Sequence, residues 1–215
     1  HWTRHALADY RHQWGLVTWR GARPLPCPRS DRMGVDIRRQ RCHLYICAAN
    51  ASAMMQAWFM SPLGAVTAHW NGCAVTHIEF LQSETLGDTA RKFPKTVYAE
   101  IQDCLDGRTD ALDLPIALQG SAFQQTVWHA LRTIPRGQLL TYSVLAEQVG
   151  NPRATRAVAN ACGSNPCAVL IPCHRVIRRN QGLGGYAWGI DLKIKLLTRE
   201  GWAVTDQGIV LSRGS

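Results

Sequence analysis

The chain reads as an α+β (α/β) protein, a small β-meander-plus-helix domain followed by a mainly helical one. Three observations carry that reading. Residues 57–81 hold strand-like runs, rich in Val, Thr, Ile and Phe, around an Asn-Gly pair. From Ser121 onward the apolar positions repeat at helical spacing instead. Between the two, Asp106 to Gly120 mixes proline, glycine and short alternating runs, the composition of a linker.

Residues 1–56 form a lead segment with no assigned fold, because Arg20 to Arg41 mixes prolines with arginines and keeps neither a helical nor a strand period. Residues 57–118 make the first domain. Ala57 to Met60 is a short strand before Ser61-Pro62, and Gly64 to Trp70 and Cys73 to Leu81 are strands joined at Asn71-Gly72. That pair takes positive φ readily and so favours a tight hairpin. Asp88 to Leu105 is predicted helical, with Pro94 in its first turn, Val97, Ile101 and Leu105 on one stripe, and Gly107 as its stop.

Residues 119–203 make the second domain. Ser121 caps a helix whose Phe123, Val127, Ala130, Leu131 and Ile134 share a face, closed by Pro135-Arg136-Gly137. A second helix runs from Ser143 to Val149. Asn151-Pro152 supplies the cap and first-turn proline of a third, from Arg153 to Cys162, with Gly163 as its stop. The last two outline a helix-turn-helix, a pattern that many all-α domains share without touching DNA. The third helix sets alanines around Arg156, which suits close approach to a surface or, equally, tight packing against its neighbours. A last helix, capped by Asp191, carries Ile194, Leu197 and Glu200, and residues 204–215 form a tail.

The formal charge of +9 is uneven: +6 over residues 1–56, −4 over 57–120, +7 over 121–201 and none over the tail. A basic second half fits a polyanionic partner, and solvated charge alone would give the same pattern. No apolar run reaches the roughly 18 residues of a membrane span, and the start lacks a signal peptide's apolar core, so a cytoplasmic protein is expected. The eight cysteines are irregularly spaced, which favours reduced thiols. Cys27, Cys42, His43 and Cys47 lack the paired spacing of a zinc site, so no metal is expected.

The chemistry concentrates at Cys173. Ala168 to Ile171 reads as a short buried strand that Pro172 stops, leaving Cys173 at a strand end beside His174 and Arg175, groups able to stabilise a thiolate. An isolated Cys-His pair is more often a buried, inert thiol. Its surroundings change the reading. Gly163-Ser164-Asn165-Pro166, Ile171-Pro172-Cys173-His174-Arg175-Val176, Gly185-Tyr186 and Glu200-Gly201, preceded by Tyr142 and Arg156, follow in an order that resembles the O6-alkylguanine-DNA alkyltransferases. The resemblance spans about Trp58 to Trp202 and is most specific from Phe123 to Gly201; residues 1–55 have no counterpart in it.

The resemblance implies a ribonuclease H-like first domain and a winged-helix-like DNA-binding and catalytic domain. It implies direct-reversal repair of double-stranded DNA bearing O6-alkylguanine, and also O4-alkylthymine, by a monomer without cofactor or membrane attachment. Cys173 would be the ionised acceptor, and His174 would take the thiol proton through a water that links it to Glu200. Asn165 would brace the turn, and Tyr142 would contact the flipped base and protonate it as it leaves. Arg156 would fill the vacated stack, with Thr155, Ala157, Ala161 and Arg153 along the DNA and Arg178 or Arg179 on phosphates. The carbonyls of Cys173 and Val176 would read the exocyclic amine, while Tyr186, Ala187 and Trp188 shape the pocket. Because a thioether has no water step to release it, each molecule would act once. The competing readings are a non-enzymatic lesion-binding relative, a Cys-His hydrolase and a helix-turn-helix regulator.

Overall fold

The computed structural model describes residues 54–81, 93–110, 113–205 and 208–211. Residues 1–53 of the lead segment, its cysteines among them, and the Asp88 to Lys92 portion of the first predicted helix lie outside the described residues, while Met55 and Gln56, expected in the lead segment, open the first strand.

Strands β1 (Met55–Ser61), β2 (Gly64–Trp70) and β3 (Val75–Phe80) form the expected antiparallel meander. Alternation buries Ala57, Phe59, Val66, Ala68 and Ile78 on one face. The connection after β2 is longer than the predicted two-residue turn. The Asn71 Oδ1 accepts from the amides of Cys73 and Ala74 at 3.0 and 2.8 Å, so a side chain takes amides that would otherwise extend the ladder, and β3 begins at Val75.

Helix α1 (Lys95–Leu105) buries Val97, Ile101 and Leu105, as the stripe requires, while Pro94 stands one residue before the helix at its cap. Its carbonyl end is held from later in the chain: Arg199 donates to the Leu105 carbonyl at 2.8 Å, and Arg136 to those of Gly107 and Arg199 at 2.6 and 2.8 Å. Cations at a helix C-terminus meet its partial negative charge.

Helix α2 (Ala122–Arg132) starts from a full capping box between Ser121 and Gln124. The two-residue β4 (Leu140–Thr141) leads into α3 (Tyr142–Gln148), and α4 (Thr155–Gly163) follows. The third predicted helix therefore starts two residues late. Ala154 N–H closes a turn onto the Asn151 carbonyl at 2.9 Å, so Pro152 and Arg153 belong to that turn. Ala168 to Ile171 is likewise no strand. One isolated bridge joins Ile78 to Cys167, after which Val169 takes φ 68 and the Ile171 amide returns to the Cys167 carbonyl at 3.0 Å, folding the run into turns. It is buried as predicted.

Beyond a 3₁₀ turn at Cys173–Arg175, β5 (Val176–Ile177) pairs in parallel with β4. Helix α5 (Ile190–Arg199) has Gly189 at its cap and Asp191 in its first turn, and Glu200 directly follows it. The predicted tail instead holds a hairpin strand: β6 (Trp202–Thr205) pairs with β7 (Gly208–Leu211). One cluster of buried side chains runs from Ala57 on the meander to Leu196 on α5. Among the described residues no helix is long and apolar enough to cross a membrane.

Candidate active site

Cys173 sits on the 3₁₀ turn with 4% of its surface exposed. Asn165, itself buried, donates from Nδ2 to the Cys173 sulfur at 3.1 Å and to the Ile171 carbonyl at 2.8 Å, and its Oδ1 accepts from the Cys167 amide at 3.0 Å. One carboxamide thus fixes the turn that presents the sulfur. Burial pushes the Cys173 thiol up to about 11, against the opposing pull of the Asn165 hydrogen bond and the Lys193 charge. The expectation of a resting thiolate is corrected accordingly: desolvation outweighs the nearby donors, and near pH 7 the sulfur is a thiol.

His174 is 1% exposed, and its Nε2 lies 3.0 Å from Glu200 Oε1. The contact is direct, which corrects the expected water between imidazole and carboxylate. Burial lowers the His174 pKa, more than Glu200 raises it, so the ring is neutral near pH 7. Burial also pushes Glu200 upward, but the hydrogen bonds and charges of His174 and Arg175 prevail and hold it down to about 2. A carboxylate only accepts, so the Nε2 carries the proton and Nδ1, which has no hydrogen-bond partner among the described residues, is the basic nitrogen.

Arg175 does not approach the sulfur as a thiolate partner. Its Nε donates to both Glu200 oxygens at 3.0 and 3.1 Å, and its other nitrogens reach Asp110 at 2.6 Å and the Ile134 carbonyl at 2.6 Å. Sequence reasoning missed Lys193, which is fully buried and donates to the carbonyls of Val176, Leu183 and Gly185 at 2.6, 2.5 and 3.5 Å. The signal was its position on the stripe with Leu196 and Leu197, three and four residues on, where a lysine cannot face water. Lys193→Met should destabilise the protein by about 2–4 kcal/mol in denaturant unfolding, because buried carbonyls lose their donor.

A cavity of about 420 Å³ opens beside the sulfur, of a size that suits a small-molecule ligand. Cys173, Tyr142, Tyr186 and Ala187 line it as expected, together with Cys162 and Arg178. Burial raises the Tyr142 hydroxyl to about 12, so it remains a donor. Its ring lies against Gly184, where φ is +71 and an added Cβ would come within 3.0 Å of the hydroxyl. Trp188 stands behind the wall, edge-on to Tyr186 with ring centroids 5.2 Å apart.

Besides Trp188, two predicted site residues are placed elsewhere. Val176 is fully buried and does not line the cavity, and its carbonyl accepts from Lys193. Ala161 is on the inner face of α4 with Val158 and Cys162, its carbonyl accepting from the Trp128 indole at 2.8 Å. Ala157, one turn earlier on nearly the same stripe, is exposed together with Arg156; what takes Ala161 out of reach is its burial against α2. Arg153 is exposed on the turn before α4, and Thr155 is half-buried.

The His174–Glu200 pair predicts acid sensitivity. His174 and Glu200 both have folded pKa values below their ordinary 6.5 and 4.5, so the unfolded chain takes up protons first as pH falls. The stability they contribute is present above about pH 6.5 and declines below it, more steeply once pH passes the ordinary range of Glu200. Thermal midpoints measured from about pH 7 down to about pH 4 should fall accordingly.

A family model of the 6-O-methylguanine DNA methyltransferase DNA-binding domain matches residues 122–202. The methylated-DNA–protein-cysteine methyltransferase of Methanosarcina acetivorans is 34% identical over 154 residues, covering 69% of this chain and 99% of that protein. The chain belongs to the methylated-DNA–protein-cysteine methyltransferase family. The bifunctional transcriptional activator/DNA repair enzyme Ada of Escherichia coli is 50% identical over 101 residues, 47% of this chain. That match spans 28% of Ada's own length. Among solved structures, the Mycobacterium tuberculosis OGT in complex with DNA superimposes with TM-score 0.57 at 36% identity, covering 67% of this chain and 91% of that one. The mixed α/β fold is that of these methyltransferases. Cys173, His174, Glu200 and the cavity all fall inside the matched residues 122–202, whereas Asp110 falls outside.

Proposed function

We propose that the chain repairs O6-alkylguanine in double-stranded DNA by moving the alkyl group irreversibly to Cys173, with O4-alkylthymine as a second substrate. The observation that carries this reading is the Cys173 sulfur, held by Asn165 on the wall of a cavity of about 420 Å³ and followed in the chain by a neutral imidazole whose Nε2 is bound to an ionised carboxylate. The alkylated oxygen is out of reach inside the stack, so the base must flip into the cavity. His174 Nδ1 takes the thiol proton as the sulfur attacks, Glu200 stabilises the imidazolium, and a bridging water belongs between Sγ and Nδ1. The S–C bond forms while the C–O bond to guanine breaks, and the Tyr142 hydroxyl supplies a proton to the departing base.

Exposed Arg156 on α4 supports its reading as the side chain that fills the vacated stack, and exposed Arg153, Arg178 and Arg179 suit phosphates; Thr155 and Ala157 lie along the same approach. In this reading residues 57–118 are a ribonuclease H-like domain and residues 119–203 a winged-helix-like one, acting as a monomer without cofactor. Cys173 itself disfavours a merely lesion-binding relative, which has no use for an acceptor thiol. The test is mass spectrometry after incubation with methylated duplex. One added methyl on the peptide holding Cys173, and one strand repaired per molecule, is expected; methyl on another residue, or repeated turnover, would overturn the reading.

A further inference from the structure

Glu200 orients the base from an insecure position. It stands at the C-terminal cap of α5, before Gly201 at φ +89, where its amide closes a last turn onto the Leu197 carbonyl at 3.0 Å and the helix goes no further. Besides a 3.4 Å bond from the Gly137 amide, what holds its carboxylate against His174 is Arg175, which spans both oxygens through Nε and adds a 2.8 Å bond from Nη2. Arg175 is 3% exposed, and its remaining donors have two partners: the Ile134 carbonyl, and Asp110 at 2.6 Å. Asp110 comes from the segment after α1, in the first domain. A planar fork gripped on both sides cannot rotate, so the carboxylate cannot drift from the imidazole.

We propose that the proton relay extends two residues beyond Glu200, through Arg175 to Asp110, so that the first domain supplies the outermost positioning residue of the active site. This rests on the functional reading above. Asp110 touches neither substrate nor sulfur and acts through Arg175. Its negative charge offsets the guanidinium, leaving more of the Glu200 charge to serve His174. The charged groups facing His174 are Glu200, Arg175 and Lys193; Arg136, Arg199 and Cys104 line the adjoining crevice with Asp110. Only Asp110 among them couples to the imidazole through an arginine that already holds the orienting carboxylate.

The test uses Asp110→Asn in the full chain. Asparagine keeps the oxygen that accepts from Arg175 and removes the charge, and Asp110 is partly exposed, so no buried charge is stranded. Single-turnover methyl transfer from methylated duplex, measured against pH, should slow about tenfold at neutral pH, the effect of losing an outer-shell partner. The acid limb should also move to lower pH, because removing a negative charge weakens the imidazole as a base. Asp110→Glu should restore the limb. A purely structural clamp would lower the thermal midpoint and leave the limb in place, and that outcome overturns the proposal, as does a rate within twofold of wild type. The His174 titration, followed by NMR in unreacted protein, gives a readout independent of transfer: a downward shift in Asp110→Asn is expected, and an unchanged titration overturns the relay. If the wild-type chain takes up no methyl, the functional reading fails instead, and the titration alone decides the relay.

Discussion

Cys173→Ala is expected to abolish methyl transfer outright while the protein still folds and still binds alkylated duplex. The residue supplies the only bond-forming atom in the proposed reaction, and no other group on the cavity wall is equipped to replace it. Cys162 shares that wall, but burial raises its thiol further than that of Cys173, and the Asn165 carboxamide is directed at Cys173. Folding survives because alanine is a smaller buried apolar side chain, and Asn165 keeps its bonds to the Ile171 carbonyl and the Cys167 amide. The measurement is transfer of labelled methyl from duplex to protein, with duplex affinity and thermal midpoint as controls. Label on the alanine variant would show that the acceptor lies elsewhere. Because the resting sulfur is a thiol, its reaction with iodoacetamide should also be slow at neutral pH and accelerate toward pH values near its raised pKa of about 11.

Arg156→Ala should slow transfer from duplex by about 100-fold, yet leave reaction with free O6-benzylguanine nearly unchanged. Unstacking a base costs a few kcal/mol, and a side chain that fills the gap recovers part of it; about 2–3 kcal/mol corresponds to roughly that loss in rate. The free base needs no extrusion, so the difference between the two substrates isolates the flipping step. Arg156 is exposed on α4 and outside the buried face of Val158, Ala161 and Cys162, so the substitution leaves the core intact. Equal losses on both substrates would remove the role assigned to it.

The legible parts of this chain were those governed by local rules. The cap at Ser121, the stripe on α1, the strand-like runs around Asn71-Gly72 and the PCHR run could be read because each depends on neighbours within a few residues. Where a side chain or a turn competed locally, boundaries slipped: Asn71 took two amides from β3, and Asn151 delayed α4. Ala161 was misplaced because a run of alanines carries no sign of which face is inward; the Trp128 indole, 33 residues away, decides it.

The residue types, their order and their spacing were settled by the sequence alone, and with them the candidates for acceptor sulfur, base and orienting carboxylate. Their protonation states and partners were decided only in three dimensions. A pKa depends on what replaces water around a group, and that is supplied by distant segments: Asn165 and Lys193 for the thiol, Arg175 for the carboxylate, and Asp110 for Arg175, 65 residues before it. Desolvation has no linear signature, which is why a thiolate expected from neighbouring basic residues became, once buried, a thiol.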